Sequence, residues 1–462
     1  MERRNAWLSY SEAEMKELEK VAESYKQFLD EGKTERECVE KIICMAEQNG
    51  YVDLDAKRAA GETVKAGDKV YAVSMGKIVA LFHIGEEEIT EGMNILCAHI
   101  DSPRLDIKQN PLYEEADLAY LDTHYYGGVK KYHWVALPLA LHGVIVKKDG
   151  TVVKVTIGED EKDPVLYITD LLIHLSAKQM QKTASEVIEG EKLDILIGSC
   201  PLSDLPDDKK KEAVKENVLR ILKEKYDVEE EDFLSAELEV VPAGKARDCG
   251  LDRSMIASYG QDDRVCAYTS LLAMLVKEGT PKKTSCCLLV DKEEIGSVGA
   301  TGMQSRFFEN RVADLLDSMG AYSDLQLRRT LRNSAMLSSD VSAGFDPAYA
   351  DAFEKKNAAF LGRGIVLNKF TGARGKSGSN DANAEYVARI RRIFDDNQVA
   401  FQTAELGRVD AGGGGTIAYI AALYEMNVID SGVAVLSMHA PWEVTSKADV
   451  YEAYKAYMAF IS

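Results

Sequence analysis

The chain has 462 residues, of which 46% are hydrophobic and 29% charged, and a formal net charge of −20. That length exceeds what one hydrophobic core usually organises, so two domains are expected, and the composition is that of a globular chain rather than a disordered one. The acidic balance excludes nucleic acid and an anionic membrane as partners, because both need a basic face. It leaves the substrate open, since charge inside a cleft can oppose the global sign.

The eight cysteines, Cys38, Cys44, Cys97, Cys200, Cys249, Cys266, Cys286 and Cys287, show no CxxC spacing. Several lie in apolar runs and read as reduced core residues of a cytosolic protein. The run MERRNAWLSYSEAEMKELEKV has no apolar segment long enough for a signal peptide. No stretch approaches the ~20 apolar residues of a membrane span, so the expected location is cytoplasmic.

In chain order, residues 8–31 are expected to form a helix capped by Ser9 or Ser11, with Leu18, Val21, Tyr25 and Leu29 as its apolar stripe. A second helix is expected over 34–48. Residues 70–74 and 78–84 read as strands joined at Met75 and Gly76, and NILCAH (94–99) as a buried strand. Pro103 discourages its continuation. Residues 108–157 carry aromatic and β-branched segments with GG and DG turns, which predicts hairpins. A charge-dense helix and loop over 207–231 and a strand over 236–243 follow. From there, strand and helix alternate: helix 265–276 behind Asp262–Arg264, then 284–290, 305–319, 334–341, 364–367, 383–394, 400–403, 415–424, 432–438 and 447–461. Alternation of this kind marks an α/β layer structure with a largely parallel sheet. The simplest organisation is one α/β domain of residues 1–106 and 245–462, interrupted by a β-rich insert over 107–244.

Chemistry concentrates where the expected strands end. The stretch DKEEIGSVGATG carries Glu293 and Glu294 after an apolar run and before Gly296, Gly299 and Gly302. On an extended chain adjacent side chains point in opposite directions, so the two glutamates are expected to do different jobs. Alone, the pair is most simply an acidic turn. Other expected strands end at His99, with Asp101 two residues on, at Asp340 and at His439, while Asp262 and Asp263 mark a loop-to-helix junction. Ligands of open α/β sheets gather at this edge. Imidazoles and carboxylates together suit two divalent ions, with zinc, cobalt or manganese as candidates, and the lack of paired thiolates argues against a structural zinc site. One His and one terminal carboxylate would serve each ion, one Asp would bridge, and one Glu would take a proton from the intervening water. Asp101 is placed to accept the second ring N–H of His99.

The motifs CAHIDSPRLDIK, GQDDRVCAY, DKEEIGSVGATG, SSDVSAGFDP and SMHAPWE, in this order over nearly the whole chain, resemble peptidase family M18, the aspartyl aminopeptidases, and its bacterial branch in particular. The resemblance implies a dizinc exopeptidase-like fold, a mostly parallel sheet between helices with an inserted β-rich dimerisation domain. It implies that His99 and Asp340 serve one metal, Glu294 and His439 the other, that Asp262 rather than Asp263 bridges them, that Glu293 is the general base and that Asp101 orients His99. It further implies dimers that assemble into a dodecamer, with the insert lending a histidine, His174 here, to a neighbouring subunit's active site.

Two stretches depart from the family or leave substrate open. Residues 411–416 (AGGGGT) stand where eukaryotic members carry a Cys-Gly-Ser-Thr-type segment. Residues 369–378 (KFTGARGKSG) include Lys376, which could meet an acidic first residue of a peptide or belong to a solvated loop. A preference for N-terminal Asp or Glu is therefore an inheritance from the family name. The leading expectation is a cytosolic dimetal aminopeptidase. A deacylase or carboxypeptidase of the same clan would use the same site on another substrate, and a non-catalytic metal-binding assembly protein would use the residues structurally. A glycosidase built on Glu293 or Glu294 with Asp340 would leave both histidines without a role.

Overall fold

A computed structural model of the protein describes residues 4–207 and 209–462. The chain divides into two compact units, one of residues 1–101, 246–438 and 443–462, the other of residues 102–245 and 439–442. The second thus begins earlier than the expected insert and takes in a short stretch near the C-terminus.

In the first unit, nine strands form one sheet in the order Val52–Asp53, Lys69–Ser74, Ile78–His83, Ser285–Val290, Asn94–His99, Ala335–Ser339, Asn427–Gly432, Ile365–Asn368 and Phe401–Thr403. Ser285–Val290, Asn94–His99, Ala335–Ser339 and Asn427–Gly432 are parallel to one another, and antiparallel strands flank them. The fold is mixed α/β with parallel segments. The central strands are near-continuous apolar runs because helices cover both faces. Leu96, Leu289 and Leu337 join one core with helices Glu12–Glu31, Gln261–Val276 and Lys447–Ile461, whereas Ile95, Leu288 and Met336 join a second core with helix Phe307–Ser318.

Local chemistry fixes the boundaries. The first long helix starts at Glu12, because Ser11 accepts the Glu14 N–H and Glu14 reaches back to Ser11; a short 3-10 turn, Ala6–Leu8, fills the start of the expected helix. Thr34 and Glu37 close the same capping box on Glu35–Gln48. The 70–84 hairpin turns at Met75 and Gly76, both in the left-handed region (φ 53° and 67°), the conformation a two-residue turn needs to match strand twist.

Three expectations need correction. Helix Asp324–Asn333 was not anticipated, since its buried side is a narrow stripe of Leu327, Thr330 and Leu331 on a charged segment. The helix expected over 415–424 shrinks to Ala418–Ala422 behind the glycine run. The strand expected over 432–438 shortens to three residues, and a strand that was not anticipated runs just before it. Asn427–Gly432 enters the large sheet, and Ala434–Leu436 joins a separate five-stranded sheet with Glu443–Ser446, Met255–Ser258, Arg247–Cys249 and Ser342–Ala343. Only glycine fits at 432, because a Cβ there would lie 1.8 Å from the Asp340 carbonyl oxygen.

In the second unit, strands Arg104–Glu115, Leu118–Tyr126, Ile195–Gly198, Leu166–Tyr167 and Pro138–Val146 continue one into the next, and Val152–Ile157 adds to the last. Ala236–Pro242 pairs with both Arg104–Glu115 and Pro138–Val146, so the sheet closes on itself as a barrel. Closure leaves fewer of the open edges that could template aggregation, although Val152–Ile157, paired only with Pro138–Val146, keeps one. Helix Ala213–Tyr226 stops at Asp227, which is left-handed at φ 55°. Among the described residues no helix is long and apolar enough to cross a membrane.

Leu316 is fully buried in the second core of the first unit. Leu316→Ala should destabilise the protein by roughly 2–5 kcal/mol through lost burial and the residual cavity. Denaturant unfolding at fixed metal content checks this, and a change under ~0.5 kcal/mol would mean that the core relaxes around the site.

Candidate metal centre

Three neighbouring parallel strands deliver the site at their carboxyl ends. Asn94–His99 ends on the imidazole itself, Ser285–Val290 runs into the Glu293–Glu294 turn, and Ala335–Ser339 is followed at once by Asp340. The fourth element is the start of helix Gln261–Val276. There Asp262 (φ −80°, ψ 107°) and Asp263 (φ −117°, ψ 28°) are not yet helical and the peptide bond between them is cis. Glu443 fixes this junction: its Oε2 accepts the Asp262 N–H at 2.9 Å, and its carbonyl accepts Gln261 Nε2 at 2.6 Å. Buried Arg264 ties the same junction to the metal strand by donating to the Ile100 carbonyl at 3.2 Å and to Lys33 at 2.9 Å.

The central histidine is held from one side and faces carboxylates on the other. His99 Nδ1 lies 3.0 Å from the Asp101 carbonyl oxygen and 3.3 Å from Asp101 Oδ1. This fixes the tautomer with Nε2 as the outward nitrogen. His99 Nε2 is 3.2 Å from Asp262 Oδ1 and 3.9 Å from Asp340 Oδ1. Ligand atoms of His99, Asp262 and Asp340 all lie within 4.8 Å of one another, and so do those of Asp262 and Glu294. Asp262 is thus common to both groups. Asp263 is in neither, and it is fully buried behind the site.

The expectation that Glu293 and Glu294 alternate on an extended chain is overturned. They form a 3-10 turn, entered through Lys292 in the left-handed region. Asp101 supplies the physical reason, since its carboxylate oxygens accept the backbone N–H groups of Glu293 at 3.1 Å and Glu294 at 3.2 Å. One buried aspartate therefore holds both the histidine and the glutamate turn. Asp291, just before the turn, takes the Thr301 hydroxyl at 2.5 Å; burial, with Glu35 and Asp101 nearby, pushes its carboxyl up to about 6.

Electrostatics decide whether a cation fits. Burial raises the Asp340 carboxyl well above the ordinary range, and the negative charges of Glu293 and Asp262 add to it. Burial alone would lower His99, but hydrogen bonds to Asp101 and Asp262 outweigh it and raise the imidazole well above its usual value. Carboxylates crowded around one imidazole in a dry site repel one another unless a positive charge lies among them. A nitrogen and oxygen donor set of this kind suits zinc or another borderline divalent ion. The residues present fit a metal.

The other expected site residues are placed as follows. The expectation that His439 closes a strand of the same sheet is overturned, because the preceding strand Ala434–Leu436 belongs to the five-stranded sheet. His439 is left-handed (φ 63°) in the second unit, where its Nδ1 lies 3.0 Å from the Gly128 carbonyl. His174, also in the second unit, is exposed within the 3-10 turn Ile173–Leu175 and not buried in a helix or strand. Lys376 Nζ stacks 3.9 Å from the Phe370 ring centroid and pairs with Asp381 at 3.0 Å, and Asp381 also takes Lys369. The glycine run packs on this segment, with Gly414 N–H donating to Thr371, and a Cβ on Gly413 would approach Ala373 Cα to 2.5 Å.

Several contributors were not singled out from sequence. Glu443 lies inside the quoted SMHAPWE motif, and Arg264 inside GQDDRVCAY, but nothing local shows that either braces Asp262. Asp430 is buried in mid-strand beside Thr416, whose hydroxyl it accepts at 2.5 Å; burial pushes its carboxyl up to about 7. A lone Asp inside the apolar run NVIDSG was the available signal.

A family model described as Aminopeptidase I zinc metalloprotease (M18) matches residues 28–461. A Clostridium acetobutylicum protein named "Probable M18 family aminopeptidase 1" is 60% identical over 461 residues, covering 100% of this chain and 98% of the relative. The crystal structure of aminopeptidase I from Clostridium acetobutylicum is similar at a TM-score of 0.93 and 58% identity, covering 100% of this chain and 99% of that one. The crystal structure of an M18 aminopeptidase from Thermotoga maritima is similar at a TM-score of 0.94 and 45% identity, with the same coverage.

Asp262→Ala should lower the bound metal measured by elemental analysis, whereas Asp263→Asn should leave it close to the unsubstituted level. Equal metal content in the Asp262→Ala protein would remove that residue from the centre.

Proposed function

Because the chain belongs to the M18 aminopeptidase family, a family of zinc metalloproteases, we propose that it removes N-terminal residues from peptides at a two-metal centre built on His99, Asp262, Asp340, Glu294 and His439. The observation that carries this reading is the convergence of His99, Asp262 and Asp340 within 4.8 Å, with Asp262 shared by Glu294. In the proposed assignment His99 and Asp340 would hold one ion and Glu294 and His439 the other, with Asp262 available to both. The His439 Nδ1 contact with the Gly128 carbonyl supports Nε2 as its ligating nitrogen. Zinc is the first candidate, with cobalt or manganese as alternatives. When bound, the ions supply Lewis acidity toward the scissile carbonyl and acidify a bound water.

The chain's own residues move the proton. Glu293 accepts one from the attacking water and returns it to the nitrogen of the leaving peptide, so its carboxylate is regenerated each cycle. Its position is set by the Asp101 carboxylate through the Glu293 N–H, and Asp101 also orients His99, which makes it a positioning residue. A preference for acidic first residues would draw on Lys376, whose charge must then be shared between substrate and Asp381.

The second unit is the proposed oligomerisation domain. His174 stands in an exposed apolar stretch with Leu171, Leu172, Ile173 and Leu175, a surface suited to burial against a second copy, and a copy covering it would carry His174 to its neighbour's site. Dimers and their assembly into a dodecamer follow as the proposed state. The eight cysteines are all free, in keeping with a proposed cytoplasmic location.

Glu293→Gln should keep both metals and lose on the order of 10²–10⁴-fold in kcat, the range general-base catalysis spans. Full turnover in that protein would end the general-base assignment. His174→Ala should lower kcat/KM while mass by light scattering stays that of the assembled oligomer; unchanged kinetics would take His174 out of the site. Free-amine peptides should be cleaved and N-acetylated ones spared, and the reverse would mean a deacylase.

A further inference from the structure

A second polar site lies in the first unit, away from the metal centre. A cavity of about 710 Å3 is lined by Lys69, His83, Lys277, Glu278 and Thr280, with Gly67 on its wall. Its place in the sheet is fixed by register. His83 is opposite Ser285, the first residue of the strand Ser285–Val290, and Val290 at the other end is paired with His99. At ~3.3 Å per residue the strand separates the two places by about 17 Å, so this cavity is no part of the peptide-cleaving site.

Its charges are unusual for this chain. Acidic residues outnumber basic ones by 76 to 56, and most lysines have carboxylate partners. Among the described residues neither Lys69 nor Lys277 forms an ion pair. Lys69 Nζ reaches only the Asn49 carbonyl at 3.4 Å and the Tyr51 ring at 5.5 Å, and Lys277 Nζ only the Ser462 hydroxyl at 3.3 Å. Lys69 is also the direct cross-strand neighbour of His83. Burial, reinforced by Lys69 and Lys277, pushes His83 down to about 4, so the ring is neutral at pH 7. His83 is 2% exposed, and its buried Nδ1 has no hydrogen-bond partner among the described residues. Glu278 is the one carboxylate among the lining residues, which leaves the cavity with a net positive lining.

Two ammonium groups without carboxylate partners, beside a neutral imidazole and around a space large enough for a small molecule, form a receptor for negative oxygen atoms. We propose that this cavity binds a small oxyanion-bearing ligand, its phosphate or carboxylate group held between Lys69 and Lys277 against the ring of His83, with the Thr280 hydroxyl as a further donor. The anion would answer the lysine charges that no carboxylate among the described residues answers.

The test is calorimetric titration of the metal-loaded full chain with inorganic phosphate. Phosphate that reaches the metal centre contributes equally to every variant, so differences between variants read the cavity. The expected result is binding at least tenfold weaker in K69Q/K277Q and retained in K69R/K277R, with peptide hydrolysis unchanged in both, which also establishes that both are folded. Acetate as competitor separates the two ligand sources: displacement of phosphate by acetate assigns a carboxylate ligand, and its absence assigns a phosphate. The same phosphate isotherm in K69Q/K277Q as in the unsubstituted protein would overturn the proposal.

Discussion

Mutual repulsion among buried carboxylates sets the terms on which the candidate metal centre can exist. Asp340, Asp262 and Glu293 act on one another within a site where burial already penalises negative charge. Such a cluster is stable only when something positive lies among its oxygens, and His99 alone is one positive charge at most. The parallel centre of the sheet, the capped helices and the close-packed glycine at 432 can all be read as the scaffold that keeps these groups together despite their repulsion. Asp101 is the economical element of that scaffold, since one buried side chain anchors the turn bearing both glutamates while its carbonyl holds the histidine.

Much of this was legible in the sequence, and the parts that were not have identifiable physical causes. Strand Asn94–His99 and its terminal histidine were visible because a buried parallel strand reads as an uninterrupted apolar run that stops at a polar group. Asp340 and the Glu293–Glu294 pair were visible for the same reason. The turn geometry of the two glutamates was not, because it is imposed by Asp101, which lies 192 residues away in sequence. Nor was the bracing of Asp262 by Glu443, a contact across 181 residues. The end of the chain misled in a different way: a strand was expected only over 432–438, whereas Asn427–Gly432 enters the large sheet and Ala434–Leu436 another, and the close approach of Gly432 to the Asp340 carbonyl marks where they part.

The strand Ser285–Val290 shows how one element can serve unlike chemistry at its two ends. Its carboxyl end leads into an acidic, cation-seeking cluster, and its amino end pairs with His83 beside two lysines. The chain's net charge of −20 describes neither place. Local sign is set by which side chains the register brings together, and a composition-level argument about partners reaches only as far as large basic surfaces.

In the proposed centre, these residues would hold two ions with Asp262 between them. The most direct measurement is anomalous diffraction at the zinc absorption edge from crystals grown with zinc. The expected result is two peaks ~3.5–4 Å apart, one bounded by His99 and Asp340, the other by Glu294 and His439, both touching Asp262. A single peak, or two peaks with Asp263 rather than Asp262 between them, would contradict it.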